Sequence, residues 1–420
     1  METLWQGKWI WHSGESSPRN EWRCFRKTFA WTAANSGRAV IKLTADSRYV
    51  LYVNGQRIGQ GPPRSWPFRL AYDEYDIGHL LRPGQTNVIA VMVMHFGISN
   101  FYYLRGRGGL LAQLELGSSP QILEATDDTW FTVVHSGHDS RSPRMSCQHA
   151  FAEKIDARLW DDNWIQPDYQ PGPEWQPAAV IGPAGCEPWG MPVPRDIPYL
   201  TEETVYPRRI ERLSKVKPVQ YTAAIDLRNQ FFEESTDTAN PAEFLGLLAT
   251  VVRCPLKCTA TLGLIDVGGT FRGCSLDGVW YDEKSLIGEA PERFLRVELD
   301  PGDHLLLIDV SGGTHGSGHH FAVDAEKPLE FLSPLTFIQA HSNAQADDSS
   351  VFVTLGPFDG GIRYDHKPNP PMNPAHPDYL RAREIADAAG LVPFANWLRP
   401  VPEALVSQED VFILSVWKRD

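Results

Sequence analysis

Arg48-Tyr49-Val50-Leu51-Tyr52-Val53-Asn54-Gly55-Gln56-Arg57-Ile58-Gly59 consists of two runs of alternating β-formers joined by Asn-Gly. Both central residues of a two-residue hairpin turn need positive φ, which Asn and Gly adopt at little cost, so the stretch predicts a tight antiparallel hairpin. The signal extends outward from there. Trp9-Ile10-Trp11, Trp22–Phe29 and Ala39–Ala45 alternate large apolar residues in the way strands with one buried face require. Asn87–Met94 is apolar at nearly every position, which predicts a central strand covered on both faces. Pro83-Gly84 suits the centre of a type II turn, and Gly109–Leu116 is a further strand. A weak internal repeat follows. Asn54-Gly55, Leu81-Arg82-Pro83-Gly84 and Val88–Met94 are echoed in order by Asp277-Gly278, Leu299-Asp300-Pro301-Gly302 and Leu305–Val310. The fold class expected is therefore all-β. Two jelly-roll or galactose-binding-like sandwiches occupy 1–199, including a Pro- and Gly-rich wrapping connector from Trp164 to Pro198, and 200–345. A small C-terminal region, 346–420, holds one helix over 379–389, read from Asp378, an Ala-rich run and Gly390, and a final strand over Val411–Trp417.

Composition excludes several classes. With 39 Lys+Arg against 52 Asp+Glu, the formal net charge is −13, which disfavours nucleic acid and anionic membrane surfaces as partners. No apolar run approaches the roughly 20 residues of a spanning helix. The N-terminus lacks the basic and apolar regions of a signal peptide, so the expected location is cytoplasmic. Cys24, Cys147, Cys186, Cys254, Cys258 and Cys274 are too sparse for a disulfide scaffold and read as reduced thiols. Cys254 and Cys258 lack the paired second C-x2-C of a zinc site. No nucleophile elbow or phosphate-binding loop is present, and Arg105-Gly106-Arg107-Gly108-Gly109 introduces a strand rather than a helix.

In the first 200 residues the motifs run in a specific order. Trp9-Ile10-Trp11, Phe25-Arg26-Lys27-Thr28-Phe29, and Tyr52-Val53-Asn54-Gly55 through Tyr75-Asp76-Ile77 are followed by Ile155-Asp156-Ala157-Arg158 and Glu174-Trp175-Gln176-Pro177-Ala178. Together they resemble the N-terminal β-sandwich of bacterial α-L-rhamnosidases, glycoside hydrolase family 78, and 200–345 fits the further accessory sandwiches of such enzymes. The resemblance implies noncatalytic modules that position rhamnosides, some with a calcium ion, for a separate (α/α)6 catalytic barrel. Twelve barrel helices would need more than about 200 residues of helical pattern, and one clear helix is found. The expected role is thus the carbohydrate-binding accessory portion of such a hydrolase. The alternatives are a truncated form of an active inverting rhamnosidase and a scaffold that braces a barrel or a second copy without binding sugar.

Two candidate sites stand out. Arg64, Trp66 and Tyr72, in and after a Pro-rich loop, offer an aromatic and a cation to grip a sugar, or rings that cap the core. In the second, Glu153, Asp156, Asp161 and Asp162 supply the hard oxygens calcium wants, beside Trp160, Asn163 and Trp164 for sugar contact; the same Asp and Asn residues also suit solvated turns. His315–His320 is read as a polar turn. The adjacent acids Asp73-Glu74, Glu202-Glu203 and Asp282-Glu283 point to opposite faces and so do not form a hydrolytic pair.

Overall fold

The computed structural model describes residues 4–31, 38–101, 103–117, 121–142, 144–146, 150–212, 220–231, 242–266, 273–287, 292–311, 319–339, 350–358, 362–364, 374–403 and 406–408. The chain forms two units. The first is built from Met1–Ser140 and Glu153–Val205, the second from Arg141–Ala152, Tyr206–Glu234 and Asn240–Asp420.

In the first unit, one sheet runs in the order Ala179–Pro183, Lys8–Trp11, Gly109–Leu116, Ala39–Asp46, Ala71–Asp76, Val193–Pro194, with Gln121–Ala125 also paired to Gly109–Leu116. The other runs Gln176–Pro177, Phe131–Val134, Glu21–Ala30, Thr86–His95, Arg48–Val53, Gln56–Gly61. The hairpin turns at Asn54 (φ 49°) and Gly55 (φ 85°), the left-handed pair that the sequence requires. Thr86–His95 lies between Glu21–Ala30 and Arg48–Val53. Its Ile89, Val91 and Val93 face the inter-sheet core with Phe25, Ile41, Leu51 and Leu114. Its Val88 and Ala90 face outward and are covered by Trp164 and Trp175 of the connector, so both faces are buried as expected. Each such residue fully buried stabilises the fold by about 1.5–3 kcal/mol, and a one-residue slip would turn the whole set outward. The connector is fastened by Arg26, whose guanidinium donates to the carbonyls of Trp164 (3.1 Å), Gln166 (2.7 Å) and Tyr169 (3.0 Å).

The second unit repeats this design. One sheet is ordered Glu292–Leu299, Cys258–Asp266, His319–Ala325, Tyr221–Ile225, Val406–Gln408. The other is ordered Val279–Tyr281, Cys274–Leu276, Gly302–Asp309, Leu247–Cys254, Val353–Leu355, Leu398–Pro400, with Glu330–Leu332 on Leu247–Cys254. The repeat is topological. In each unit the strand after the Pro-Gly turn pairs with the first arm of the tight hairpin on one side and an earlier long strand on the other. It extends to atoms. The side chains of Asn54 and Asp277 accept from the amides of Val88 and Leu305, both at 2.9 Å, while the Asn54 and Asp277 amides donate to the carbonyls of those two residues. Alternation along Leu247–Cys254 sends Leu248 and Val252 to the inter-sheet core, and Leu247, Ala249 and Val251 to a second core under helical segments.

Those helical segments differ from the expected continuous helix over 379–389. An α-helix spans Pro377–Ala382, capped by His376, and a 3-10 helix spans Ala388–Trp397. Asp387 divides the Ala-rich run: its side chain accepts from Gly390 N at 2.9 Å and starts a new cap where the sequence suggests a helix end. The expected strand Val411–Trp417 lies outside the described residues. Among the described residues no helix is long and apolar enough to cross a membrane.

Candidate functional site

The loop after Gln56–Gly61 contributes to two depressions on the first unit. Consecutive prolines, Pro62 and Pro63, and a 3-10 turn over Pro67–Arg69 hold it off the sheet, and Arg64 ties it down by donating to the Phe101 carbonyl at 2.6 Å.

The first depression, of about 370 Å³, is lined by Arg48, Arg64, Arg195, Tyr49, Tyr103 and Gln60 among others. Beneath it lies Asp73, fully buried, which accepts from the Tyr49 hydroxyl and from Arg195 Nε. The Tyr75 hydroxyl stands 3.4 Å from that of Tyr49. Burial, with Asp73 nearby, pushes the Tyr49 phenol well above its usual range, and burial raises Tyr75 to about 12. These hydroxyls are therefore protonated donors across the physiological range, not bases.

The second depression, of about 690 Å³, is walled by Trp66, Phe68, Leu104, Arg105, Arg107 and Ser17 among others. Trp66 and Phe68 are 56% and 64% exposed, with ring planes only 7° apart and centroids 6.1 Å apart. Large rings held parallel and open to solvent present flat apolar faces that the core does not use. Opposite chemistry comes from the Arg-Gly-Arg-Gly-Gly run. It must be glycine-rich, because a Cβ on Gly108 would stand 2.4 Å from the Trp11 ring and one on Gly109 2.7 Å from Trp189. The cleft has no carboxylate in its lining, hence no pair of acids for glycoside hydrolysis.

The sequence-predicted residues divide. Arg64 lines the first depression and Trp66 the second. Tyr72 instead is 4% exposed: it shares the sheet face of Glu74 and Asp76, and there its ring is covered edge-on by Trp5 at 5.3 Å. Trp160 stacks on His135 at 4.2 Å and Trp164 is buried over Cys24, Val88 and Ala90, so both roof the outer face of the sheet. Asn163 is exposed in the 3-10 turn Asp162–Ile165. The acidic candidates do not converge. Among the described residues no three His, Cys, Asp or Glu side chains are grouped as metal ligands. Asp156 caps the turn Ala157–Leu159 and pairs with Arg158 at 2.6 Å, whose hydrogen bonds hold its carboxyl down at about 2. Asp161 caps the next turn, accepting from Asn163 N at 2.9 Å, while Glu153 and Asp162 are exposed. The donor set thus does not fit a calcium ion. Of His315–His320 only His319 and His320 are described, and burial followed by the neighbouring His319 lowers His320 to about 4. Phe68, Arg105 and Arg107 were not among the candidates. Their signal was the alternation of Arg with Gly just ahead of a strand, and a second aromatic two positions after Trp66.

Two sandwiches of one design, the first carrying an open aromatic cleft, define a tandem all-β chain. Comparison with known proteins gives the family. The α-L-rhamnosidase N-terminal domain matches residues 35–195, and domain D2 of α-L-rhamnosidase matches 221–404. The crystal structure of a family 78 rhamnosidase of Bacillus sp. GL1 shares 45% identity with a TM-score of 0.90, covering 99% of this chain and 42% of that one. The α-L-rhamnosidase of Streptomyces avermitilis complexed with L-rhamnose is 17% identical over 88% of this chain and 29% of that one, with a TM-score of 0.34. No curated protein matches. The chain belongs to the α-L-rhamnosidase family, of which it carries the N-terminal and D2 domains, and it spans less than half the length of the Bacillus enzyme.

Proposed function

We propose that this chain is the carbohydrate-binding accessory portion of an α-L-rhamnosidase-like glycoside hydrolase, holding rhamnosides without cleaving them. The observation that carries the reading is the solvent-open, near-parallel pair Trp66 and Phe68 in the larger cleft. Pyranose rings have apolar C–H faces that pack on such rings, and the cleft offers hydroxyls and guanidiniums for the sugar's polar edge. Titration of tryptophan emission with an aryl or methyl α-L-rhamnoside tests it. Saturable change is expected in the native chain, and Trp66→Ala should weaken affinity about two- to tenfold, from about 0.5–1.5 kcal/mol of ring contact beyond area. Identical titrations of native chain and variant would remove the cleft from the account.

A second reading, bracing of another domain or copy, is supported by a different feature. Leu200, Val205, Tyr206 and Ile210 are 77%, 87%, 78% and 83% exposed. Rhamnoside binding lost on Trp66→Ala would favour the first reading over this one.

A further inference from the structure

The larger cleft holds two arginines that no ion pair among the described residues answers. Arg105 and Arg107 both line it, and neither guanidinium has an ion pair or a side-chain hydrogen bond among the described residues. The Nε of each is shielded from solvent and without a hydrogen-bond partner. Several buried guanidiniums elsewhere are met by carboxylates, Arg144 by Asp226 at 2.9 Å, Arg23 by Glu21 at 2.7 Å and Arg195 by Asp73, and buried Arg26 is met by three carbonyls. A chain with net charge −13 has ample acids, yet none is placed in this lining. Desolvated, unpaired donors are costly, and a ligand that brings an acceptor relieves that cost on binding.

The arginines are also held in place. Their run is pinned by Gly108 and Gly109 against the Trp11 and Trp189 rings, which leave no room for a Cβ. Arg105 N is fixed separately by Ser99 Oγ at 2.9 Å. The backbone that carries the two arginines is therefore held in the cleft that Trp66 and Phe68 also line, which reduces the ordering cost of binding. A guanidinium fork matches the two coplanar oxygens of a carboxylate, and it does so better than any neutral hydroxyl.

We propose that the cleft formed by Trp66, Phe68, Arg105 and Arg107 is a subsite for an acidic oligosaccharide, one sugar ring packing on the aromatics while a neighbouring uronate carboxylate meets the arginines. This deepens the sugar-binding reading above and rests on it. The two can fail separately.

The test is calorimetric titration with two disaccharides: L-rhamnose linked to glucuronate, and the same compound with the carboxyl reduced to the alcohol. At low salt the acid should bind at least about tenfold tighter, the worth of one charge-assisted contact, and the advantage should shrink as salt is raised. In the Arg105→Gln/Arg107→Gln double variant the acid-to-neutral affinity ratio should fall to near one. A thermal melt checks that the variant folds; should it not, the salt series and ligand pair on the native chain decide. Equal affinities for the two disaccharides, or an advantage that survives in a folded double variant, would overturn the acidic subsite while leaving sugar binding standing. Absence of binding by both would overturn sugar binding and the subsite together.

Discussion

In the second unit, the buried pair of Arg144 and Asp226 gives a prediction whose size follows from its surroundings. The two side chains are 2% and 1% exposed, with Arg144 Nε donating to Asp226 Oδ2 at 2.9 Å. Asp226 directly follows Tyr221–Ile225, a strand of the second sandwich, so the pair fastens the short Arg144–Ser146 strand to that unit. Converting Asp226 to Ala leaves a guanidinium in a site that water barely reaches. Breaking a buried pair from one side costs about 3–5 kcal/mol, since the remaining charge keeps its desolvation penalty and loses the carboxylate that opposes it. Against a total of about 5–15 kcal/mol for a typical domain, that is a large fraction. Removing both charges together, with Arg144→Met and Asp226→Ala, should recover most of the loss, because no charge then stays buried. Urea unfolding of native, single and double variants measures all three. A single variant within about 1 kcal/mol of native, or a double variant as unstable as the single, would refute the reasoning from burial.

Two further outcomes follow from the repeated hairpin. Asn54→Gly and Asp277→Gly keep the left-handed backbone but delete the side-chain acceptors for Val88 N and Leu305 N, so each should cost about 1–3 kcal/mol by urea unfolding. In the second unit His304 adds a pH dependence. Burial works against its charge, but the hydrogen bond to Asp277 (2.6 Å) and the contact with the Asp300 carbonyl (2.8 Å) outweigh it and raise its pKa. A raised folded pKa gives stability that is fully present below the unfolded value of about 6.5 and lost as pH rises through the folded value. The melting temperature should therefore fall as pH is increased through and above that value, and His304→Gln should flatten the dependence. A native profile no steeper than the variant's would contradict the pairing.

Much of the fold was legible because its signals are local and backbone-driven. Asn54-Gly55 and Asp277-Gly278 each specify a turn that few other dipeptides can adopt, and the apolar character of Asn87–Met94 requires cover on both faces. The extent of the C-terminal helix was not legible, since Asp387 can continue a helix or cap a new one and only the packing of Leu391 and Phe394 selects the cap. The candidate site was legible only in part. Trp66 reads the same from its loop as from its exposure, whereas Tyr72 and Trp164 carry the same ring chemistry but point into packed layers. Aromatic and acidic residue types say what could bind; whether they face solvent or a neighbour is set by long-range pairing. Asp156 and Asp161 show this most clearly, since each carboxylate is already engaged by its own turn two residues on. In the sequence Arg105 and Arg107 read only as the lead-in to a strand, because their further meaning depends on the absence of an ion pair among the described residues, a property of the surroundings and not of the run itself.

The most direct test of the account is calorimetric titration of the purified chain with L-rhamnose and rhamnosyl disaccharides, run beside a hydrolysis assay on an aryl α-L-rhamnoside. Binding to the disaccharides that depends on Trp66, with no turnover, is the predicted result. Turnover would contradict the noncatalytic reading, and a flat titration across all ligands would contradict the sugar-binding one.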